Sequence, residues 1–143
     1  MKVISLLQPW ATLVVIGAKK IETRSWNTKY RGPLLIHASK GFVQLETWFY
    51  NVCIDVLSVP PYSLTKGAII GKIDLVDTFL MNDEYIDFMK NSNSDNKQEL
   101  EFGNYSPGRY GWLLSNPILF DKPIPAKGQL GLWNYDLNIP TND

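Results

Sequence analysis

The chain has one cysteine and one histidine among its 143 residues. A single cysteine cannot form an internal disulfide, which is typical of a protein in a reducing compartment. One histidine and one cysteine also leave too few ligands for a zinc site, and the sequence has no glycine-rich phosphate loop of the dinucleotide or P-loop type. We therefore expect no metal and no cofactor. Cys53 lies in an apolar run, and we expect its thiol to be buried rather than to act as a nucleophile.

The sequence also lacks net charge and any long apolar run. Lys and Arg together number 14, as do Asp and Glu, so any nucleic-acid contact must come from a local basic patch. No stretch reaches the length of a membrane span, and Gln8 and Pro9 interrupt the one N-terminal run that resembles an export signal. We therefore expect a soluble, cytoplasmic protein without a membrane partner.

Length and apolar spacing predict one domain over residues 1–143, large enough to bury a core without covalent staples. The patterns predict strands over residues 3–7, 34–37, 68–76, 110–114 and 130–135. They predict helices over residues 9–17 and 42–57 and a short helix capped by Asn82 or Asp83. The polar segment 91–98 is expected to be an exposed loop or a mobile insertion. Together these elements predict an α+β domain around a small mixed β-barrel.

The segment of residues 17–24, Gly-Ala-Lys-Lys-Ile-Glu-Thr-Arg, is the most informative of the chain. In an extended strand, Lys20, Glu22 and Arg24 share one face, and Lys19 lies in the turn before it. A solvated edge with a salt bridge is the plain alternative, and such pairs contribute little stability. We favour a site for a flat anionic ligand such as a nucleotide, because cations beside aromatic rings are what phosphate and base recognition require.

Three aromatic residues near this segment are candidates for stacking on a base. Trp10 follows a proline at a helix start, Trp26 lies in a polar loop, and Tyr30 precedes a strand; core filling is the alternative for each. The remaining tryptophans are expected in the core: Trp48, Trp112 and Trp133.

Two further cations extend the predicted basic rim. Arg31, beside a glycine at the start of a strand, either binds phosphate or caps a neighbouring carbonyl. Lys40 follows the same strand. His37 lies inside that apolar strand, and we expect a core histidine with satisfied hydrogen bonds rather than a catalytic base.

Three stretches, residues 6–11, 17–26 and 30–38, read LLQPWA, GxKxxExRxW and YRGPLLIHA. With the closing segments 111–112 and 123–133, they resemble the ASCH domain, a relative of the PUA RNA-binding domain, in its bacterial and phage branch. The resemblance implies a PUA-like β-barrel with flanking helices. It also implies a basic cleft beside the GxKxxExR turn and a role in binding RNA or nucleotides.

Two classes of function stay open. In a binding module, Lys19, Arg24 and other cations would hold phosphate or carbonyl oxygens, an indole would stack on the base, and Glu22 would accept from a base amino group. In a hydrolase of nucleotides, such as an N4-acetylcytidine amidohydrolase or a ribonuclease, Lys19 would be the general base and Glu22 would orient it. Lys19 matches the lysine of the amidohydrolase branch, but Glu22 stands where that branch has a threonine.

We favour binding, because a carboxylate beside Lys19 suits a charged ammonium that holds a ligand better than a base that removes a proton. The residues identify no protein partner, although the 91–98 segment would be a place for one.

Overall fold

The secondary structure follows the apolar pattern of the chain. The computed structural model describes residues 1–136. Its strands are β1 (Lys2–Leu6), β2 (Ile21–Arg24), β3 (Gly32–Ala38), β4 (Ala68–Leu80), β5 (Tyr110–Pro125) and β6 (Leu132–Asn134). Its helices are α1 (Trp10–Val15), α2 (Thr47–Leu57), α3 (Asp83–Lys90) and α4 (Ser94–Phe102), with a short 3-10 helix at Pro61–Ser63. Residues 137–143, the end of the predicted domain, lie outside the described part.

Within residues 1–136 the strands form one sheet in the order β2-β5-β4-β3-β1-β6. β1 and β3 are parallel, and the other neighbours are antiparallel. The two parallel strands therefore end at the same edge of the sheet. Strands β2 and β6 are the outer edges, so the sheet is open and the predicted barrel holds only approximately. The predicted α+β class is confirmed.

Apolar side chains cover both faces of the sheet. Helix α1 packs on one face, where Val14 and Val15 join Ile36 of β3 and Trp112 of β5. The other face carries a second cluster around Leu35: Val3, Ile69, Phe120 and Trp133. Central strand β3 is buried on both faces, which explains its continuous apolar run.

A third cluster holds the helices around the site. Leu13 of α1 packs with Phe49 and Cys53 of α2 and with Phe102 of α4. Cys53 is buried, as expected from its apolar run. The third cluster therefore joins helices α1, α2 and α4 to one another.

Several sequence-based boundaries differ from the structure. The predicted loop at 91–98 is wrong: α4 begins at Ser94, after Asn93 caps it by accepting the Asn96 N–H. The predicted helix over 42–57 begins only at Thr47. The strand predicted to end at residue 114 continues to Pro125. Trp112 and Trp133 are in the core, but Trp48 is 50% exposed at the start of α2, so its predicted burial is wrong.

Candidate functional site

A cavity of about 1270 Å³ opens at the edge of the sheet where parallel strands β1 and β3 end. Its walls come from the end of β2, the segment leading into α2, the end of α4 and the segment between β5 and β6. The charged and aromatic side chains that line it are Trp10, Glu22, Arg24, His37, Lys40, Glu46, Trp48, Phe49, Glu101, Phe102 and Lys127. Cations, carboxylates and aromatic rings therefore meet in one concave space.

Of the nine residues that the sequence predicts as site residues, four line this cavity: Trp10, Glu22, Arg24 and Lys40. Trp10 is half-buried and stacks on Phe49, with ring centroids 5.4 Å apart and planes 21° from parallel. This contact fixes the orientation of the indole. Trp48 also lines the cavity, and its indole N–H donates to Glu46 at 2.6 Å. The indoles of Trp10 and Trp48 therefore line the same cavity as three basic side chains, those of Arg24, Lys40 and Lys127.

Glu22 is the centre of an ion network at the end of β2. Its Oε1 lies 3.5 Å from Lys19 Nζ, and its Oε2 lies 3.1 Å from Arg24 Nη1. Lys19 is only 1% exposed, and its Nζ also donates to the carbonyl of Ile21. Lys19 does not line the cavity among the described residues; it compensates the Glu22 charge from the protein side. Arg24 carries its positive charge on the cavity side.

Trp26 supports Arg24 and is absent from the described cavity wall. The Arg24 guanidinium lies 5.8 Å from the centre of the Trp26 ring, a cation–π contact. Trp26 in turn packs edge-on against Trp112, with centroids 5.0 Å apart. The indole is therefore placed to orient the arginine.

Lys20, Tyr30 and Arg31 lie away from this cavity in the described part of the chain. Lys20 lines a separate small depression of about 180 Å³ beside Pro117. The Tyr30 hydroxyl donates to a backbone carbonyl of the next strand. Arg31 donates to two carbonyls of its own loop and pairs with Asp77 at 3.3 Å. These contacts match the carbonyl-capping alternative for Arg31.

The sequence interpretation missed a polar group inside the cavity. His37 is buried, as expected, but it also lines the cavity together with Ser5. Its Nδ1 lies 3.0 Å from Ser5 Oγ, and its Nε2 lies 2.8 Å from the Ala126 carbonyl oxygen. The parallel pairing of β1 and β3 sets Ser5 opposite His37. That register depends on tertiary structure, so the sequence carried no signal for the pair.

Glu99 of α4 is a second residue that was missed. Its carboxylate accepts the backbone N–H groups of Lys20 and Ile21, at 2.6 and 3.3 Å. Burial raises the pKa of Glu99, although the Lys20 N–H and the nearby Lys19 ammonium act in the opposite direction. Burial, with the added effect of the Glu99 charge, also raises the pKa of Tyr105. Glu99 and Tyr105 are both largely buried, and burial disfavours their charged forms.

Residues 1–136 contain neither a cluster of metal ligands nor a helix that could span a membrane. No three or more His, Cys, Asp or Glu side chains in this range are grouped as metal ligands. Nor does any helix in the range have both the length and the apolar character to span a bilayer.

The class of this protein follows from a match to a known domain family. The sequence model of the ASCH domain matches residues 4–124. This match covers most of the chain, and the protein therefore belongs to the ASCH domain family.

Individual relatives agree with this assignment. Activating signal cointegrator 1 of Homo sapiens and of Mus musculus are each 28% identical to this chain over 142 residues, which is 95% of the chain and 22% of their own length. The chain thus spans about a fifth of the curated relatives it matches. The crystal structure of ASCH from Zymomonas mobilis covers 86% of this chain, and the match covers 71% of that structure, with a TM-score of 0.51 and 16% identity. At this identity the likeness shows the fold alone.

Proposed function

We propose that this chain binds RNA or a modified nucleotide in the cavity at the ends of β1 and β3. The observation that carries the proposal is that Arg24, Lys40 and Lys127 share this cavity with the indoles of Trp10 and Trp48. The cavity also carries the carboxylates of Glu22, Glu46 and Glu101, so the attraction for phosphate comes from individual cations and not from a net positive charge of the cavity. Stacking on an indole adds about 1–3 kcal/mol per base. The PUA-like character implied by the ASCH family supports the same ligand class.

Each part of the site has a role in this proposal. Trp10, stacked on Phe49 with ring centroids 5.4 Å apart, offers its partly exposed indole to a base. Arg24, held by Glu22 and Trp26, binds phosphate or a carbonyl oxygen. The Glu22 carboxylate accepts hydrogen bonds only, which suits the amino group of a base.

The hydrolase alternative finds less support. A general base must reach the water or substrate from which it removes a proton. Lys19 is almost fully buried, donates to the Ile21 carbonyl and pairs with Glu22 at 3.5 Å. It is therefore placed to stabilise the fold and the Glu22 charge rather than to act on a ligand in the cavity.

Fluorescence titration tests the proposal, since two of the five tryptophans line the cavity. Short single-stranded RNA and cytidine monophosphate serve as probes at low and moderate salt. We expect Arg24→Ala and Trp10→Ala each to weaken binding about tenfold or more. Arg31→Ala is the matched control, because Arg31 pairs with Asp77 outside the cavity. The affinity of this variant for both probes should stay within about twofold of the wild-type value.

Two results would count against the proposal. One is the absence of binding to both probes at both salt concentrations. The other is an equal loss of affinity in Arg24→Ala and Arg31→Ala. Release of acetate from N4-acetylcytidine by the wild type, lost in a Lys19→Ala variant that circular dichroism shows to be folded, would instead favour the hydrolase.

A further inference from the structure

The hydroxyl of Ser5 has two hydrogen-bond partners in the described structure. Its Oγ lies 3.0 Å from His37 Nδ1 and receives the Trp133 indole N–H at 3.1 Å. The indole nitrogen can only donate, so one lone pair of Ser5 is occupied. The direction of the bond to His37 then decides what Ser5 can offer to a ligand.

The tautomer of His37 follows from its other partner. His37 Nε2 lies 2.8 Å from the Ala126 carbonyl oxygen, which can only accept, so Nε2 carries the hydrogen. In the tautomer that this contact selects, Nδ1 is the acceptor. Ser5 must donate its single hydrogen to Nδ1. Its hydroxyl has one lone pair left and no hydrogen to give.

The segment between β5 and β6 keeps this arrangement in place. A Cβ built on Gly128 would lie 2.8 Å from His37 Cε1 and 3.0 Å from Ser5 Oγ. The backbone thus closes directly over the pair, and the imidazole has little room to turn. Ser5 and His37 both line the cavity, so the remaining lone pair of Ser5 belongs to its polar wall.

We propose that Ser5 is a specificity-determining residue that selects a nucleobase with an exocyclic amino group over one with a carbonyl at the same place. The inference rests on the proposed function. Glu22 lines the same cavity and is likewise acceptor-only when ionised. Both acceptors belong to the wall of one cavity. A base carbonyl placed against Ser5 would meet a lone pair without a hydrogen between them.

The test compares nucleotides that differ in this one group. Dissociation constants are measured for cytidine and uridine monophosphates, and for adenosine and inosine monophosphates. We expect the wild type to prefer the amino member of at least one pair by about fivefold to tenfold. Ser5→Ala should bring that ratio to about one, mainly by weakening the amino ligand.

His37→Gln provides a second variant in which Ser5 is still present. The glutamine amide can donate to the Ala126 carbonyl, but it has no acceptor at the position of Nδ1. The Ser5 hydrogen is then free to turn toward the ligand, and the oxo nucleotide should gain affinity. Lys40→Ala is the control: it should weaken both members of a pair equally, because its charge acts on the phosphate.

The outcomes separate this inference from the proposed function. Binding without any preference in the wild type, or a preference unchanged in both Ser5→Ala and His37→Gln, overturns the role of Ser5 and leaves nucleotide binding standing. Failure of every nucleotide and of a short RNA to bind overturns both.

Discussion

Glu99 accepts the backbone N–H of Lys20 at 2.6 Å, although 79 positions separate the two residues. The contact joins α4 to the turn that leads into β2, an edge strand whose strand partner in the sheet is β5. Because β2 carries Glu22 and Arg24, Glu99 helps to position one wall of the cavity.

Removal of the Glu99 carboxylate should destabilise the protein. Glu99→Ala leaves the N–H groups of Lys20 and Ile21 without their partner, and an unsatisfied buried N–H costs about 1–3 kcal/mol. Urea denaturation of this variant and of Glu101→Ala, an exposed carboxylate on the same helix, measures the effect. The control should stay within about 0.5 kcal/mol of the wild type. Equal stability of the two variants would contradict a structural role of Glu99.

Glu99 should also make stability depend on pH. Burial raises its pKa above the ordinary value of 4.5. A carboxyl group with a raised pKa in the folded state stabilises the fold fully below its unfolded pKa, and this contribution is lost as pH rises through the folded value. The free energy of unfolding of the wild type relative to Glu99→Gln should therefore fall as pH increases above 4.5. A relative stability that stays flat, or rises, would show that the carboxyl is not penalised when charged.

Lys19 and Lys20 are adjacent but should respond very differently to the same substitution. Lys19→Met removes the buried cation 3.5 Å from Glu22, and breaking such a pair costs about 3–5 kcal/mol; the remaining Arg24 contact favours the lower end. Lys20→Met changes an exposed side chain and should alter the free energy of unfolding by about 0.5 kcal/mol or less. Chemical denaturation of both variants measures the difference. A tolerated Lys19→Met would refute the stabilising role assigned to this lysine.

A methyl group at Gly128 should disturb the Ser5–His37 pair. The new Cβ would lie 2.8 Å from His37 Cε1, closer than van der Waals contact allows. We expect Gly128→Ala to cost about 1–3 kcal/mol through overpacking and to weaken binding of cytidine monophosphate. Thermal denaturation and the fluorescence titration check the two effects. Gln129→Ala, which trims an exposed neighbour, is the control for thermal denaturation. Equal melting temperatures of the two variants would argue against a tight contact.

Cys53 should be almost unreactive in the folded protein. Burial raises the pKa of its thiol from 9.0 to about 11. The thiolate is the reactive form. At pH 8 the thiolate fraction, and with it the rate of modification, should therefore be roughly 100-fold lower in the folded protein than in the denatured protein. Reaction with an aromatic disulfide reagent is followed with and without denaturing urea. A rate in the native protein that equals the denatured rate would place the thiol at the surface.

Local sequence signals were reliable where they reflected a single element. Asn82 or Asp83 was expected to cap a helix, and it is the Asn82 side chain that accepts the Tyr85 N–H at the start of α3. The apolar run in β3 was expected to be a central strand, and it lies between β4 and β1. Caps and apolar runs depend on neighbours within a few residues, which the sequence displays directly.

Helix α4 could not be recognised in this way. Its sequence is mostly polar and has no regular apolar face, so the pattern favoured a loop. Phe102 and Glu99 hold it in place by contacts with α1, α2 and the start of β2. Those partners lie far away in the sequence, and no local pattern records them.

The residues alone determined the α+β class, the burial of Cys53 and the concentration of charge between Lys19 and Arg24. Only the tertiary structure decided that Lys19 is buried and that Arg24 shares a cavity with Lys40 and Lys127. The physical reason is that spacing along a chain reports which side chains need burial, whereas a concave site forms from segments that meet only when strands and helices pack. Ser5 and His37 show this most clearly, because the parallel register of two strands makes them a pair.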